Sequence, residues 1–370
     1  MSTRRAYPRT FENAFKSLML DGRTLSQFEA YQHFTKWSDK RRKEETWKED
    51  LSNLVMQLAM MAGKALPATT SGTTGPPKLI NIPRKDLVRS ARLTADAFGL
   101  KEGDRVLLCL PCAYIAGKMM VVRAMALGLD LHVVDPRGSV LNNLGTCRDP
   151  FRFTAMVPLQ LHRAIQEDRA RVEEQFHTIL LGGGPVSTAL EEDLQGLRTE
   201  VFQGYGSTET VTHVALRKVN GKERSSTYHA IGPVTFAQDP RGCLVVHTPH
   251  LAQKQHITRD LVDLHDERHF RWLGRIDNVI LSGGKKIYPE QLEAKSAGTI
   301  PYAHFFMAKP DEVLGQAVLL VLETEDGPQV LGGVLEALAK VLSFHEMPRR
   351  VTALRTFRRT ASGKVIRTLD

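Results

Sequence analysis

Four short apolar runs, at residues 106–110, 131–134, 155–157 and 178–181, are separated by stretches of helical periodicity. A run that is apolar at every position, rather than at alternate ones, belongs to a strand with both faces covered, so the chain is expected to build a parallel sheet under two layers of helices. The fold class is therefore α/β. Upstream, residues 13–20 and 51–61 carry amphipathic or apolar helical spacing, and residues 86–98 read as a further helix. Downstream, residues 242–247 and 269–273 look like strands of a more antiparallel region. From residue 277 the pattern changes to a turn at Gly283-Gly284, a helix over 289–297, a strand over 317–322, a helix over 330–342 and a polar tail. The expected organisation is a large N-terminal domain, residues 1–276, with parallel sheets covered by helices, and a small α+β C-terminal domain, residues 277–370.

Ahead of the strand runs lies Thr70-Ser-Gly-Thr-Thr-Gly-Pro-Pro-Lys78, in a stretch beginning at Ala68 so rich in glycine, proline and hydroxyl residues that it reads as a loop. Gly72 and Gly75 let backbone amides approach an anion, the hydroxyls of Ser71, Thr73 and Thr74 can donate to phosphate oxygens, and Lys78 adds positive charge. On chemical grounds this is a phosphate loop. Pro76 and Pro77 precede the lysine and no Gly-Lys-Ser/Thr follows, so it is not the Walker loop of P-loop kinases and ATPases.

Further blocks follow in order: Tyr205-Gly-Ser-Thr-Glu209, Asp260, Gly274-Arg-Ile-Asp277 and Thr360-Ala-Ser-Gly-Lys364. Together with Thr70 to Lys78, they resemble the adenylate-forming superfamily of acyl-CoA synthetases, luciferases and peptide-synthetase adenylation domains. The resemblance runs from residue 70 to residue 364. It implies an enzyme that activates a carboxylic acid with ATP as acyl-AMP, releasing pyrophosphate, and passes the acyl group to coenzyme A. It further implies that Ser71, Thr73, Thr74 and Lys78 hold the β- and γ-phosphates, with Thr70, Gly72 and Gly75 in the same nucleotide site. Gly182, Gly183, Gly184, Pro185 and Tyr205 enclose adenine, with Gly206 and Ser207 in the same nucleotide site. Thr208 meets the α-phosphate, and Glu209 holds Mg²⁺, a hard cation that prefers carboxylate and phosphate oxygens. Asp260 accepts hydrogen bonds from the ribose hydroxyls, helped by Arg275.

Attack of a carboxylate on the α-phosphate brings two anions together and needs fixed positive charge at the reacting centre, which the resemblance assigns to Lys364. It makes Asp277 the hinge on which the small, mobile domain swings between two half-reactions. In the second of these, the turn Ser282-Gly283-Gly284-Lys285 replaces Lys364 and lines the path of the CoA thiol.

Leu110-Pro-Cys-Ala-Tyr-Ile-Ala-Gly117, the apolar helix that follows it and Met156-Val-Pro-Leu-Gln160 look most like the o-succinylbenzoate–CoA ligases of menaquinone synthesis. That likeness places Tyr114, Gly117 and Arg123 at the acyl site, although such ligases generally carry His where this chain has Tyr114. Arg123 is the sole charge inside Lys118-Met-Met-Val-Val-Arg-Ala-Met-Ala-Leu127, and a buried guanidinium needs an anionic or well hydrogen-bonded partner. Its planar fork suits a carboxylate, so Arg123 is expected to hold the ring carboxylate while the succinyl carboxylate is adenylated. The region before residue 70 is shorter than in the family at large. Rival readings are another small acyl- or aryl-CoA synthetase, an enzyme that loads a carrier-protein thiol, and an inactive nucleotide-binding module. Retention of Glu209, Asp260 and Lys364 argues against the last, because binding alone does not need all three.

The net charge of +9 is dispersed, and its densest cluster, Lys40 to Lys43, runs straight into Glu44 and Glu45, as on a solvated helix face rather than a nucleic-acid site. Cys109, Cys112, Cys147 and Cys243 are too few for a disulfide framework. The pair Cys109-x-x-Cys112 ends an apolar run and reads as small buried residues near a strand end, not as a metal or redox site. No segment approaches the roughly eighteen apolar residues that span a bilayer. The chain is accordingly expected in the cytoplasm, with an acid, ATP and CoA as small-molecule partners, no nucleic acid and no membrane insertion. Assembly into a homo-oligomer is left open.

Overall fold

The structure is a computed structural model that describes residues 7, 9–37, 46–60, 65–70, 78–325, 329–360 and 365–369. Ser17–Leu20 (β1) and Arg23–Ser26 (β2) form a hairpin, followed by helices Gln27–Trp37 (α1) and Thr46–Met60 (α2). The helical spacing over 13–20 is thus overruled. Leu18 and Leu20 are buried on alternate positions of an extended segment that pairs on one side with β2 and on the other with residues 130–131. Such pairing outweighs a helical pattern too short to be stable alone. Ala65–Thr69 (β3) and Leu79–Pro83 (β4) make a separate two-stranded ribbon, so Ala68 and Thr69, expected in a loop, end a strand. Arg84–Phe98 (α3) follows directly. The cluster Lys40 to Lys43 lies outside the described residues.

Next come Arg105–Leu108 (β5), Ile115–Leu127 (α4), Asp130–Val133 (β6), Val140–Asn143 (α5), Phe151–Met156 (β7), Pro158–Gln175 (α6), Phe176–Leu181 (β8), Thr188–Asp193 (α7) and Glu200–Gly206 (β9). The strands pair in parallel in the order β6-β5-β7-β8-β9. Val106 and Leu108 join the core under α3 and α4, whereas Leu107 and Cys109 join the core under α5, α6 and α7. Because successive residues point to opposite layers and both layers are dry, the run is apolar throughout. Cys109 and Cys112 are buried, unbridged thiols, each pushed up to about 12 by burial, the opposite of what a ligating or reactive thiolate requires.

His213–Lys218 (β10), Thr227–Ala230 (β11), Thr235–Gln238 (β12), Cys243–His247 (β13), Gln255–Asp266 (β14) and His269–Arg275 (β15) are antiparallel to their neighbours. Among the described residues they continue the parallel strands in one sheet of 13 strands, which joins the two regions that the sequence pattern separates. Tyr228, Phe236 and Phe270 fill the core of this half.

A short 3₁₀ turn, Ile276–Asn278, leads to a second sheet. Its strands are Ile280–Ser282 (β16), Lys285–Ile287 (β17), His304–Asp311 (β18), Gly315–Glu323 (β19) and Arg350–Leu354 (β20), and the chain between them forms helices Pro289–Ser296 (α8) and Gln329–Leu338 (α9). Val318, Leu320 and Leu322 of β19 pack with Leu292, Val334 and Leu338, while Leu319 and Val321 face Phe305 and Phe357. Strand β20, which pairs parallel to β19, occupies part of the stretch expected to be a polar tail. Among the described residues no helix is long and apolar enough to cross a membrane.

At the junction, Asp277 accepts from Arg259 Nε at 2.7 Å and from Arg275 Nη2 at 3.4 Å. The bond from Arg259 holds the Asp277 carboxyl below its ordinary range. A depressed folded-state pKa stabilises the fold above the unfolded value, about 3.9, and that stability is lost as pH falls through the folded value. Both partners reach solvent, so the contribution is at most about 1 kcal/mol. Asp277→Asn should therefore lower the melting temperature slightly at neutral pH, and the gap from the parent should close as pH drops below about 4. A gap independent of pH would show that the pair adds nothing.

Candidate active site

In an open α/β sheet the crevice outside the carboxyl ends of the strands is where ligands settle. Tyr205 sits one residue before the end of β9. Its ring meets those of Tyr228 and Phe270 edge-on, with centroids 5.9 and 5.1 Å away. Its hydroxyl donates to Asp260 Oδ2 at 2.6 Å. Asp260 of β14 lies directly across from Arg275 of β15, whose Nη1 reaches Oδ1 at 3.4 Å. Three residues from separate sequence blocks thus meet at one carboxylate. Burial, followed by the charge of Asp260, raises the Tyr205 phenol well above its ordinary value and keeps it a donor.

Gly182 begins where β8 ends, its N–H donating to the Met156 carbonyl at 3.0 Å. Two residues on, the Gly184 carbonyl accepts from Gln203 Nε2 at 3.1 Å. Gln203 Oε1 accepts in turn from Arg217 Nε at 2.7 Å, and Arg217 pairs with Glu191. This chain ties the stretch from Gly182 to Pro185 to the strand that carries Tyr205. Its members come from α7, β9 and β10 and belong to no local motif, so sequence reasoning missed them.

The turn between β9 and β10 carries Ser207, Thr208 and Glu209. Thr210 Oγ1 accepts from the Ser207 N–H at 2.9 Å and reaches the Thr212 carbonyl at 2.8 Å. Val211 holds φ +68°, a conformation that costs a β-branched residue about 1–3 kcal/mol and persists only where neighbours enforce it. Thr208 is buried in this turn and Glu209 is exposed. On the other side of the turn, a Cβ on Gly206 would stand 2.2 Å from the Thr212 carbonyl oxygen, so no side chain fits there.

Beneath the turn lies Arg123, wholly buried in the middle of α4. Nε donates to Thr94 Oγ1 at 3.1 Å, Nη2 to Thr212 Oγ1 at 3.0 Å, and Nη1 approaches Met120 Sδ at 3.5 Å. All three partners are neutral, and among the described residues no carboxylate pairs with it. Burial lowers its pKa to about 9. Tyr114 caps the start of α4, and Gly117 follows in its first turn with its Cα against the Pro111 carbonyl. Gly117 and Arg123 therefore stand roughly 9 Å apart along the helix axis.

The ribbon β3–β4 is closed by Thr70 N–H to the Lys78 carbonyl at 2.9 Å and Lys78 N–H to Thr70 Oγ1 at 3.0 Å. Ser71, Gly72, Thr73, Thr74, Gly75 and Lys364 lie outside the described residues. Ser282 pairs with Lys285 across the Gly283-Gly284 turn, and the Gly283 N–H donates to the Leu314 carbonyl at 3.0 Å. That turn is part of the second sheet, whereas Tyr205, Asp260 and Arg275 are in the first.

Residues 37–241, more than half of the chain, match the family described as AMP-binding enzyme. The chain belongs to the AMP-binding enzyme family. This AMP-binding enzyme is 30% identical over 325 residues to the probable 2-succinylbenzoate–CoA ligase of Mycobacterium tuberculosis, covering 82% of each chain. It is 33% identical to the acyl-CoA synthetase (AMP-forming)/AMP-acid ligase II-like protein of Dyadobacter fermentans, with a TM-score of 0.59 and coverage of 93% of this chain and 97% of that one. The o-succinylbenzoate coenzyme A synthetase of Bacillus subtilis, solved with ATP and a magnesium ion, superposes with a TM-score of 0.73 at 19% identity, covering 96% and 98%, and has the same fold.

In this AMP-binding enzyme, Gly206→Ala should force the Thr212 carbonyl and its strained turn outward. Overpacking of this kind costs about 1–3 kcal/mol, readable by denaturant unfolding. A variant as stable as its parent would mean that the turn yields freely.

Proposed function

We propose that this AMP-binding enzyme is an ATP-dependent acid–CoA ligase whose acid is o-succinylbenzoate. In the first half-reaction a carboxylate oxygen of the succinyl arm attacks the α-phosphorus, and the bond to pyrophosphate breaks. In the second, the CoA sulfur attacks the acyl carbon and AMP leaves.

Asp260, with Tyr205 and Arg275 fixing both of its oxygens, would accept from the ribose hydroxyls. The backbone from Gly182 to Pro185 and the Tyr205 ring would enclose adenine, and Thr208 would meet the α-phosphate. Ser71, Thr73, Thr74 and Lys78 would take the β- and γ-phosphates. Lys364 would supply charge where the α-phosphate reacts, with Asp277 as the hinge and Ser282 to Lys285 as the CoA-side turn.

The donor set suits magnesium held chiefly by the nucleotide. Glu209 offers an exposed carboxylate, and no group of three or more His, Cys, Asp or Glu among the described residues forms a metal site by itself. When bound, the ion would neutralise phosphate charge, with water completing its shell. The free thiols suit work in a reducing cytoplasm.

Arg123 carries the choice of acid. A buried guanidinium with only hydroxyl and thioether partners forgoes several kcal/mol, an arrangement suited to a site that an anion completes. A diacid supplies that anion, one carboxylate pairing with Arg123 while the other is adenylated. Arg123→Ala should raise KM for o-succinylbenzoate about tenfold or more, from loss of a charged hydrogen bond of about 1.5–3 kcal/mol. An analogue lacking the ring carboxylate should be a poor substrate of the parent and indifferent to the mutation. Lost stability with unchanged KM for the diacid would make Arg123 structural and remove the support for this acid.

A further inference from the structure

One buried guanidinium stands behind both walls of the pocket read as the adenine site. Arg217 of β10 lies directly across from Gln203 of β9 and is 8% exposed. Its Nε donates to Gln203 Oε1 at 2.7 Å, Nη1 to the Ser225 carbonyl at 3.1 Å and Nη2 to Glu191 Oε1 at 2.5 Å. Arg224 closes on the other oxygen, Glu191 Oε2, with Nε at 3.2 Å and Nη2 at 3.1 Å. Unlike Arg123, Arg217 is matched by a carboxylate, and each of its nitrogens has an acceptor.

The first wall is the backbone from Gly182 to Pro185. Its start is tied to the Met156 carbonyl, and in its middle the Gly184 carbonyl accepts from Gln203 Nε2. Val186 and Ser187 then lead straight into α7, where Ser187 Oγ accepts from the Leu190 N–H at 3.2 Å and Glu191 is gripped by both arginines. Arg217 thus holds the middle of the stretch through Gln203 and its far end through Glu191. It also sets which way the Gln203 amide faces. A guanidinium only donates, so Oε1 is the atom turned toward it and the amide nitrogen is left facing the Gly184 carbonyl. The second wall is the Tyr205 ring. The Arg217 guanidinium lies over the Tyr228 ring, 5.8 Å from its centroid, and Tyr228 in turn meets Tyr205 edge-on.

A flat base needs two surfaces at a fixed separation, and a side chain that touches the supports of both sets that separation. We propose that Arg217 is a positioning residue for the nucleotide base: through Gln203 and Glu191 it fixes the backbone from Gly182 to Pro185, and through Tyr228 it fixes the Tyr205 ring, so the adenine slot is formed before ATP arrives. A slot already in shape binds more tightly because no loop has to be ordered on binding. This rests on the reading of that backbone and that ring as the adenine site. The effect of Arg217 reaches the base through these neighbours alone, so binding of the phosphates and of the acid lies outside it.

Full-length Arg217→Met, Arg217→Lys, Gln203→Glu and Tyr205→Ala can be compared with the parent in three measurements. These are calorimetric titration with ATP, acid-dependent ATP–pyrophosphate exchange with ribose 5-triphosphate as a base-free competitor, and thermal unfolding. Arg217→Met is expected to weaken ATP binding about tenfold, in line with interaction energies inside one polar network, and to leave inhibition by ribose 5-triphosphate within about twofold of the parent. In exchange, KM for ATP should rise by the same factor while kcat at saturating ATP and KM for the acid stay within about twofold, the pattern of lost ground-state binding. Gln203→Glu keeps a partner for Arg217 but cannot donate to the Gly184 carbonyl, so it should reproduce the loss in ATP affinity. Arg217→Lys, a point charge that cannot reach all of these acceptors at once, should recover part of it. Equal weakening of ATP and ribose 5-triphosphate, or a lower melting temperature with ATP affinity unchanged, would overturn the positioning role. If Tyr205→Ala weakens ATP binding and Arg217→Met does not, the adenine reading stands and the positioning role falls. Unchanged ATP affinity in Tyr205→Ala would overturn the adenine reading itself, and the proposal with it. If Arg217→Met does not fold, Arg217→Lys and Gln203→Glu carry the same comparison.

Discussion

The carboxylate of Asp260 is where the two halves of the large sheet become one site. The Tyr205 hydroxyl reaches it from the last parallel strand, and Arg275 reaches it from the neighbouring antiparallel strand. The Arg275 contact lies within the antiparallel strands, whereas the Tyr205 contact spans the two halves of the sheet. Continuity of the sheet thus brings Tyr205 of the last parallel strand to the carboxylate of Asp260. It places a hydrogen-bond acceptor of fixed direction beside an aromatic ring, at the carboxyl end of strands whose loops hold residues proposed for the nucleotide site. The covered faces of the parallel strands provide the stiffness, since a strand packed on both sides has little freedom to shift a residue at its end.

Around this fixed point the structure concentrates its least comfortable features. Val211 sits at positive φ in the turn that holds Thr208 and Glu209, and Arg123 lies buried below the same turn with neutral partners. Each would be expensive in an ordinary core, and both converge on Thr212 and its neighbours. A turn held by its own Thr210 bonds and underpinned by a charge has little slack, which suits the proposed roles of Thr208 toward a phosphate and Glu209 toward a metal ion.

Much of this was legible in the residues, and the gaps have physical causes. The parallel strands were readable because strands buried on both faces leave unbroken apolar runs, and α4 because its apolar surface is continuous around Arg123. Strand β1 was misread because four residues with two buried positions suit either period, and only its neighbours decide. Strands β18 and β20 were not anticipated: the first contains Pro310, and the second has a mixed, half-exposed face. The nucleotide-site blocks could be named from their order, but not the contact between Tyr205 and Asp260, which are 55 residues apart. The same holds for Thr212, whose hydroxyl meets Arg123 across 89 residues. Partner choice in a buried polar network is set by tertiary approach and leaves no local pattern.

The central claim is that this chain joins a dicarboxylic aromatic acid to the α-phosphate of ATP. Acid-dependent ATP–pyrophosphate exchange measures that step without CoA. Exchange should be negligible without acid, appear with o-succinylbenzoate, and be weak with a monoacid of the same skeleton that lacks the ring carboxylate. No exchange with o-succinylbenzoate, in protein that is folded and binds ATP, would contradict the account.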